Sequence, residues 1–146
     1  MVSEQPEPLD PYIRRGPGTL TAHLTASADA LRNLRSDTRQ VLTDAGVTED
    51  SVQIAQLALS ELVGNAVRAC GDGVPLIVDV RVCAEDVLIG VTDPEPIRLP
   101  RAASLVLGNA DAESGRGLDI LRLLCMSVDV EATGICKQVR CLISLA

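Results

Sequence analysis

Two polar residues, Glu61 and Asn65, interrupt the apolar run SELVGNAVRAC at 60–70. They stand four apart, about one helical turn, so on a helix both point the same way. A carboxylate on a cavity wall can serve as a general base. An amide oxygen one turn further on can ligate a hard cation such as Mg²⁺. A carboxylate buried beside apolar groups without such a role is costly. The plain reading is therefore that the pair sits at the rim of a solvated face, with Glu61 paired to Arg68. The sharper reading is that it lines a cavity.

Two further segments bear on that choice. Asp93 ends an apolar run in IGVTDPEP and is followed by a proline-marked turn. Strand ends that face a loop often carry ligand-binding carboxylates, although Asp-Pro is also an ordinary turn starter. In ESGRGLDIL, Gly115 and Gly117 precede and open a helical pattern. Glycines let backbone N–H groups approach a phosphate, and a helix N-terminus favours the anion. The segment has neither the P-loop spacing nor GxGxxG.

The elements that must position these residues follow from periodicity. TLTAHLTA (19–26) alternates, with Leu20, Ala22, Leu24 and Ala26 on one face and His23 among threonines on the other, as in a half-buried strand. His23 is then a surface or interface residue. Residues 28–45 carry Leu31, Leu34, Val41 and Leu42 at helical spacing, with Ser27 as N-cap and Gly46 after the end. A second helix is predicted over about 49–69, capped by Thr48, with Glu49 and Asp50 in its first turn. On a wheel of about 100° per residue, Val52, Ala55, Leu59, Leu62 and Ala66 form one apolar arc. Gln53, Gln56 and Ser60 form a polar one, and Glu61 and Asn65 fall in neither.

The period then changes to two. Residues 75–83 and 86–93 read as a hairpin joined at Ala84-Glu85. Residues 94–115 lack a regular pattern, a length usual for a functional loop. A short helix is predicted over 116–125, and two final strands near 127–132 and 137–145 flank Gly134. The last alternates Val139, Cys141, Ile143 and Leu145. Together these predict an α+β fold: a two-layer sandwich of a mainly antiparallel sheet with helices on one face. Residues 1–18, rich in Pro, Gly and Glu, read as a flexible tail, and 19–146 as one domain.

Composition narrows the partners. The chain has 146 residues, a formal net charge of -7, one Tyr and no Phe or Trp. That charge and the lack of stacking platforms argue against nucleic-acid binding. No apolar stretch nears the roughly 20 residues of a membrane span. The first residues lack the pattern of a secretory signal, so a cytoplasmic location is expected. The five cysteines show no CxxC spacing and read as reduced core residues.

The combination of the Glu/Asn helix, strand-end Asp, long loop and Gly-x-Gly helix start resembles the GHKL superfamily, the histidine-kinase-like ATPases with the Bergerat ATP-binding fold. More narrowly it is similar to the small single-domain branch that includes the anti-sigma-factor serine kinases of bacteria. The likeness covers about 19–145. ELVGNAVRA matches the N box, which implies Glu61 as general base and Asn65 as Mg²⁺ ligand. VTDPEP stands at the G1 box, which puts Asp93 on the adenine amino group. SGRGL matches the G2 box, with Gly115, Arg116, Gly117 and Leu118 at the phosphates and 94–114 as the lid. Arg68 joins the implied nucleotide-binding set.

Some positions depart from the pattern. Pro94 and Pro96 stand where the G1 box has glycines, Ala69 where the N box often has histidine, and Gln138 in CKQVR where the last strand often has threonine. The resemblance implies ATP and Mg²⁺, phosphoryl transfer to a serine of an antagonist protein, and sequestration of a sigma factor. The alternative is a non-catalytic ATP-binding module that regulates a partner by binding alone. The Thr-rich first strand is a candidate edge for a homodimer.

Overall fold

The computed structural model describes residues 12–71, 73–94, 119, 121–125 and 127–145. Six strands and two helices follow in the order β1 (Tyr12–Gly16), β2 (Thr19–Thr25), α1 (Ala28–Asp44), α2 (Glu49–Cys70), β3 (Pro75–Val82), β4 (Asp86–Asp93), β5 (Ser127–Ala132) and β6 (Lys137–Ser144). Residues 119 and 121–124 are also helical. The strands form one antiparallel sheet in the order β1-β2-β3-β4-β6-β5. The helices pack on it, so the α+β class read from the sequence stands.

The helices begin where side chains can satisfy their first N–H groups. Ser27 Oγ accepts from the Ala30 amide at 3.0 Å, and Thr48 Oγ1 from the Ser51 amide at 3.4 Å. After α1 the chain turns through Gly46 at φ 86°, in the left-handed region that favours glycine. The polar arc of α2 is tied to α1. Arg39 donates to both carboxylate oxygens of Glu49, at 2.8 and 3.0 Å, and to Gln56 at 3.1 Å. Arg35 donates to Ser60 Oγ at 2.9 Å.

The core lies between the layers and is aliphatic. From the sheet come Leu20, Ala22, Val78, Val80, Ile89, Val91, Val139 and Ile143; from the helices come Leu34, Leu42, Val52, Leu59 and Leu62. β2, β3, β4 and β6 contribute alternate residues, as a two-residue period requires. Leu121 and Cys125 join the same core.

One boundary is corrected. Tyr12–Gly16, inside the segment expected to be a tail, is the edge strand β1, paired with β2 from Tyr12↔His23 to Gly16↔Thr19. Its sequence YIRRG does not alternate visibly, because an edge strand with one half-buried apolar residue, Ile13, needs no apolar face of its own. The edge position expected of the Thr-rich strand therefore belongs to β1, which covers β2 on that side.

Candidate functional site

Sheet register places the end of α2 and the end of β4 together. α2 stops at Cys70, β3 starts at Pro75, and the start of β3 pairs with the end of β4 at Ile77↔Thr92. The C-terminal turns of α2, which carry Asn65 and Arg68, thus lie at the same end of the sheet as Asp93. α2 packs on β4 and β6. In β4, Val87, Ile89, Val91 and Asp93 share one parity and all are buried, so Asp93 continues the core-facing row.

Asn65 is 9% exposed, an amide inside an otherwise apolar helix face. Among the described residues the buried side-chain polar atom left without a partner is Thr38 Oγ1, not an atom of the Asn65 amide. Glu61, one turn earlier, is half-buried, and Arg68 is exposed. Among the described residues Glu61 and Arg68 form no ion pair, so the rim pairing considered from the sequence is not made. Arg68 instead lies along Gly64: a Cβ there would come 3.4 Å from its Nη1. Asn65 is drawn into the layer between helix and sheet while Glu61 keeps a partly solvated edge.

Asp93 carries the second feature. Its carboxylate is 3% exposed and its Oδ2 lies 3.5 Å from Nζ of Lys137, which is wholly buried. The two residues are direct cross-strand partners at the end of the β4–β6 ladder. Lys137 stands in the row of Val139, Cys141 and Ile143. That parity was visible in the sequence: a lysine in register with apolar neighbours is the signal that would have found it. Gln138, the residue singled out in this strand, lies on the opposite parity, opposite Thr92, and donates to Thr92 Oγ1 at 3.1 Å. It is not the residue beside Asp93.

A cavity of about 290 Å³ reaches Asp93 at the end of the sheet; its walls include His23, Ile77 and Thr92 of the opposite parity as well as Leu24, Leu76 and Pro94, and they do not include Glu61, Asn65 or Lys137. That is close to the lower bound of small-ligand sites, about 300–1,000 Å³. A larger one, about 560 Å³, lies at the opposite end of the sheet between the β1–β2 turn and the end of α1. None of the candidate site residues lines it. Among the described residues no three His, Cys, Asp or Glu side chains cluster as a metal site would, and no helix is long and apolar enough to cross a membrane. Gly115, Arg116, Gly117 and Leu118 lie outside the described residues, as do most of the expected lid and the start of the helix predicted from 116.

Comparison with known proteins matches the same architecture. Residues 24–142 match the histidine kinase-like ATPase domain, and the chain belongs to that family, a class of ATP-binding domains. Among solved structures it is similar in fold to the chain comprising the RsbU and RsbW domains of Rv1364c from Mycobacterium tuberculosis, with a TM-score of 0.61 and 17% identity. That match covers 86% of this chain and 32% of the other, so the present chain spans about a third of it. No curated protein matches.

Proposed function

We propose that the chain is an ATP-dependent protein serine/threonine kinase of the anti-sigma-factor type, with its nucleotide between α2 and the β4–β6 end of the sheet. The observation that carries this reading is Asn65: an amide only 9% exposed, one turn from a half-buried carboxylate, in an ATPase-family fold. The donor chemistry suits a hard cation, and a Mg²⁺ bridged to phosphates needs only one or two protein ligands. Asn65 would hold Mg²⁺ through its amide oxygen; when bound, the ion would supply charge neutralisation at the phosphates.

The remaining roles belong to the chain's own groups. Asp93 accepts a hydrogen bond from the exocyclic amine of adenine. Gly115 to Leu118 offer backbone N–H groups to the phosphates, with Arg68 and Arg116 adding positive charge. Glu61 takes the proton of a partner serine as the serine oxygen bonds the γ-phosphorus and the bond to the β–γ bridging oxygen breaks, releasing ADP. The partner that accepts phosphate is an antagonist protein and the one held is a sigma factor; the RsbW domain in the similar structure supports that assignment. The absence of aromatic stacking platforms and the net charge of -7 support protein partners over nucleic acid, and a cytoplasmic site of action goes with them. A module that binds ATP and partner without transferring phosphate is the second reading, favoured by the departures at Ala69, Pro94, Pro96 and Gln138.

The test is a melting curve with and without Mg-ATP. A ligand that binds only the folded chain stabilises it by about 2.7 kcal/mol at a hundred times its Kd. A rise in Tm is expected, and an unchanged Tm at millimolar Mg-ATP sinks both readings. Labelled ATP with a candidate antagonist then separates transfer from binding alone.

A further inference from the structure

We infer that Cys125 and Cys141 form a modification site: hydrogen peroxide converts the two buried thiols into a reversible disulfide that ties the end of the helical residues 121–124 to β6. The fold places the pair together. β5 runs beside β6 with Val128 opposite Cys141, and Cys125 stands three residues ahead of Val128. The Cys125 amide donates to the Leu121 carbonyl at 2.7 Å, which fixes the cysteine in the closing turn of the helix, and Leu121 is wholly buried. Both cysteines belong to the core between helices and sheet, Cys125 8% exposed and Cys141 0%, and their thiols share a hydrogen bond. The other cysteines stand elsewhere. Cys70 ends α2, Cys83 follows β3, and Cys136 precedes β6 with its Sγ 3.5 Å from Thr133 Oγ1.

Packing accounts for one small thiol in an aliphatic core. Two thiols in contact have a chemistry that neither has alone. The hydrogen bond donated by Cys141 favours the thiolate at Cys125. The same bond, joined by burial, keeps Cys141 protonated. The pair is therefore unequal. Cys125, the more exposed, is the nucleophile, and Cys141 is the resolving thiol.

Oxidation proceeds in two steps. The Cys125 sulfur attacks one peroxide oxygen: an S–O bond forms, the O–O bond breaks, and the departing hydroxide leaves as water with the Cys125 proton. The Cys141 sulfur then attacks the Cys125 sulfur: an S–S bond forms, the S–O bond breaks, and the hydroxyl leaves as a second water with the Cys141 proton. The two thiols give up two electrons and two protons, and the peroxide is reduced to water. A small thiol reverses the bond by exchange. Under the cytoplasmic location proposed above, such a bond is transient and redox-sensing rather than a structural staple.

The experiment treats the whole folded chain with hydrogen peroxide, alkylates the remaining thiols and maps the peptides without reduction. A cross-linked Cys125–Cys141 peptide is expected, with two of the five cysteines lost to alkylation and both recovered after dithiothreitol. In Cys141→Ala, Cys125 should stop at the sulfenic acid, trapped by dimedone. In Cys125→Ala, Cys141 should stay unmodified. The chain unfolded in urea should pair its cysteines without this preference, which ties the expected bond to the folded state. Five free thiols after treatment of the folded chain overturn the proposal. So do cross-links that join the other cysteines as often, or a Cys125 sulfinic acid with no cross-link. If an alanine variant does not fold, the wild-type peptide map decides alone.

Discussion

Lys137 Nζ and Asp93 Oδ2 lie 3.5 Å apart, and neither side chain is more than 2% exposed. Removing one partner leaves the other charge in a medium that cannot solvate it. Lys137→Met or Asp93→Leu alone should therefore destabilise the chain by about 3–5 kcal/mol in urea titrations. The double variant should recover most of that loss, since the orphaned charge is gone. Additive losses in the double variant would mean that the two groups do not interact.

Glu61 and Asn65 should fail in different ways. Glu61→Ala should keep the rise in Tm with Mg-ATP and abolish phosphate transfer. Asn65→Ala should lose most of the Mg-dependent part of that rise, because a buried amide positioned for the ion is removed. Transfer by Glu61→Ala at the wild-type rate would remove Glu61 from the role of base.

The hydroxyl of Thr38 is buried in α1 and has no hydrogen-bond partner among the described residues. Such a group carries a desolvation cost of about 1–3 kcal/mol with no compensating bond. Thr38→Val keeps the branched shape and removes the polar atom. An increase in stability of about 1 kcal/mol is expected, or roughly 2–4 °C in Tm. A drop would place an unseen partner at that oxygen.

The Arg39–Glu49 tie between the helices should show in acid. Hydrogen bonds from Arg39, then Gln53, hold the Glu49 carboxyl below its ordinary range. A carboxylate with a lowered folded pKa contributes stability above its unfolded pKa and loses it as pH falls through the folded value. The stability gap between wild type and Glu49→Gln should therefore be present at neutral pH and shrink on acidification through the carboxylate range. Both groups are exposed, so the gap should be small and weaker in high salt. A gap that holds constant across that range would detach it from ionisation of Glu49.

Much of this was legible in the sequence, for definite reasons. The helix caps at Ser27 and Thr48 and the two-residue period of β2, β3, β4 and β6 are local signals, and they located the elements. The place of Asn65 off the polar arc of α2 was legible, but not that it is the buried member of the pair, since Glu61 shares that sector and is half-buried. What escaped depends on pairing between distant segments. β1 is a strand because β2 offers it an edge, not because YIRRG has a pattern. Lys137 stands out because register sets it opposite Asp93, whereas the family resemblance points one residue on, to Gln138. Glu61 and Arg68 have a spacing that permits contact on a helix, but Arg68 lies over Gly64 instead.

The strand order has one more consequence. β4 is closed by β6, from Asp86↔Ser144 to Asp93↔Lys137, across the whole segment that separates them in the chain. The piece ending with β4 holds both helices and four strands; the piece from residue 119 onward holds the outer two. A backbone cut between them would sever no rung of that ladder and no contact of α2 with β6. The two pieces, made separately, should therefore reassemble when mixed.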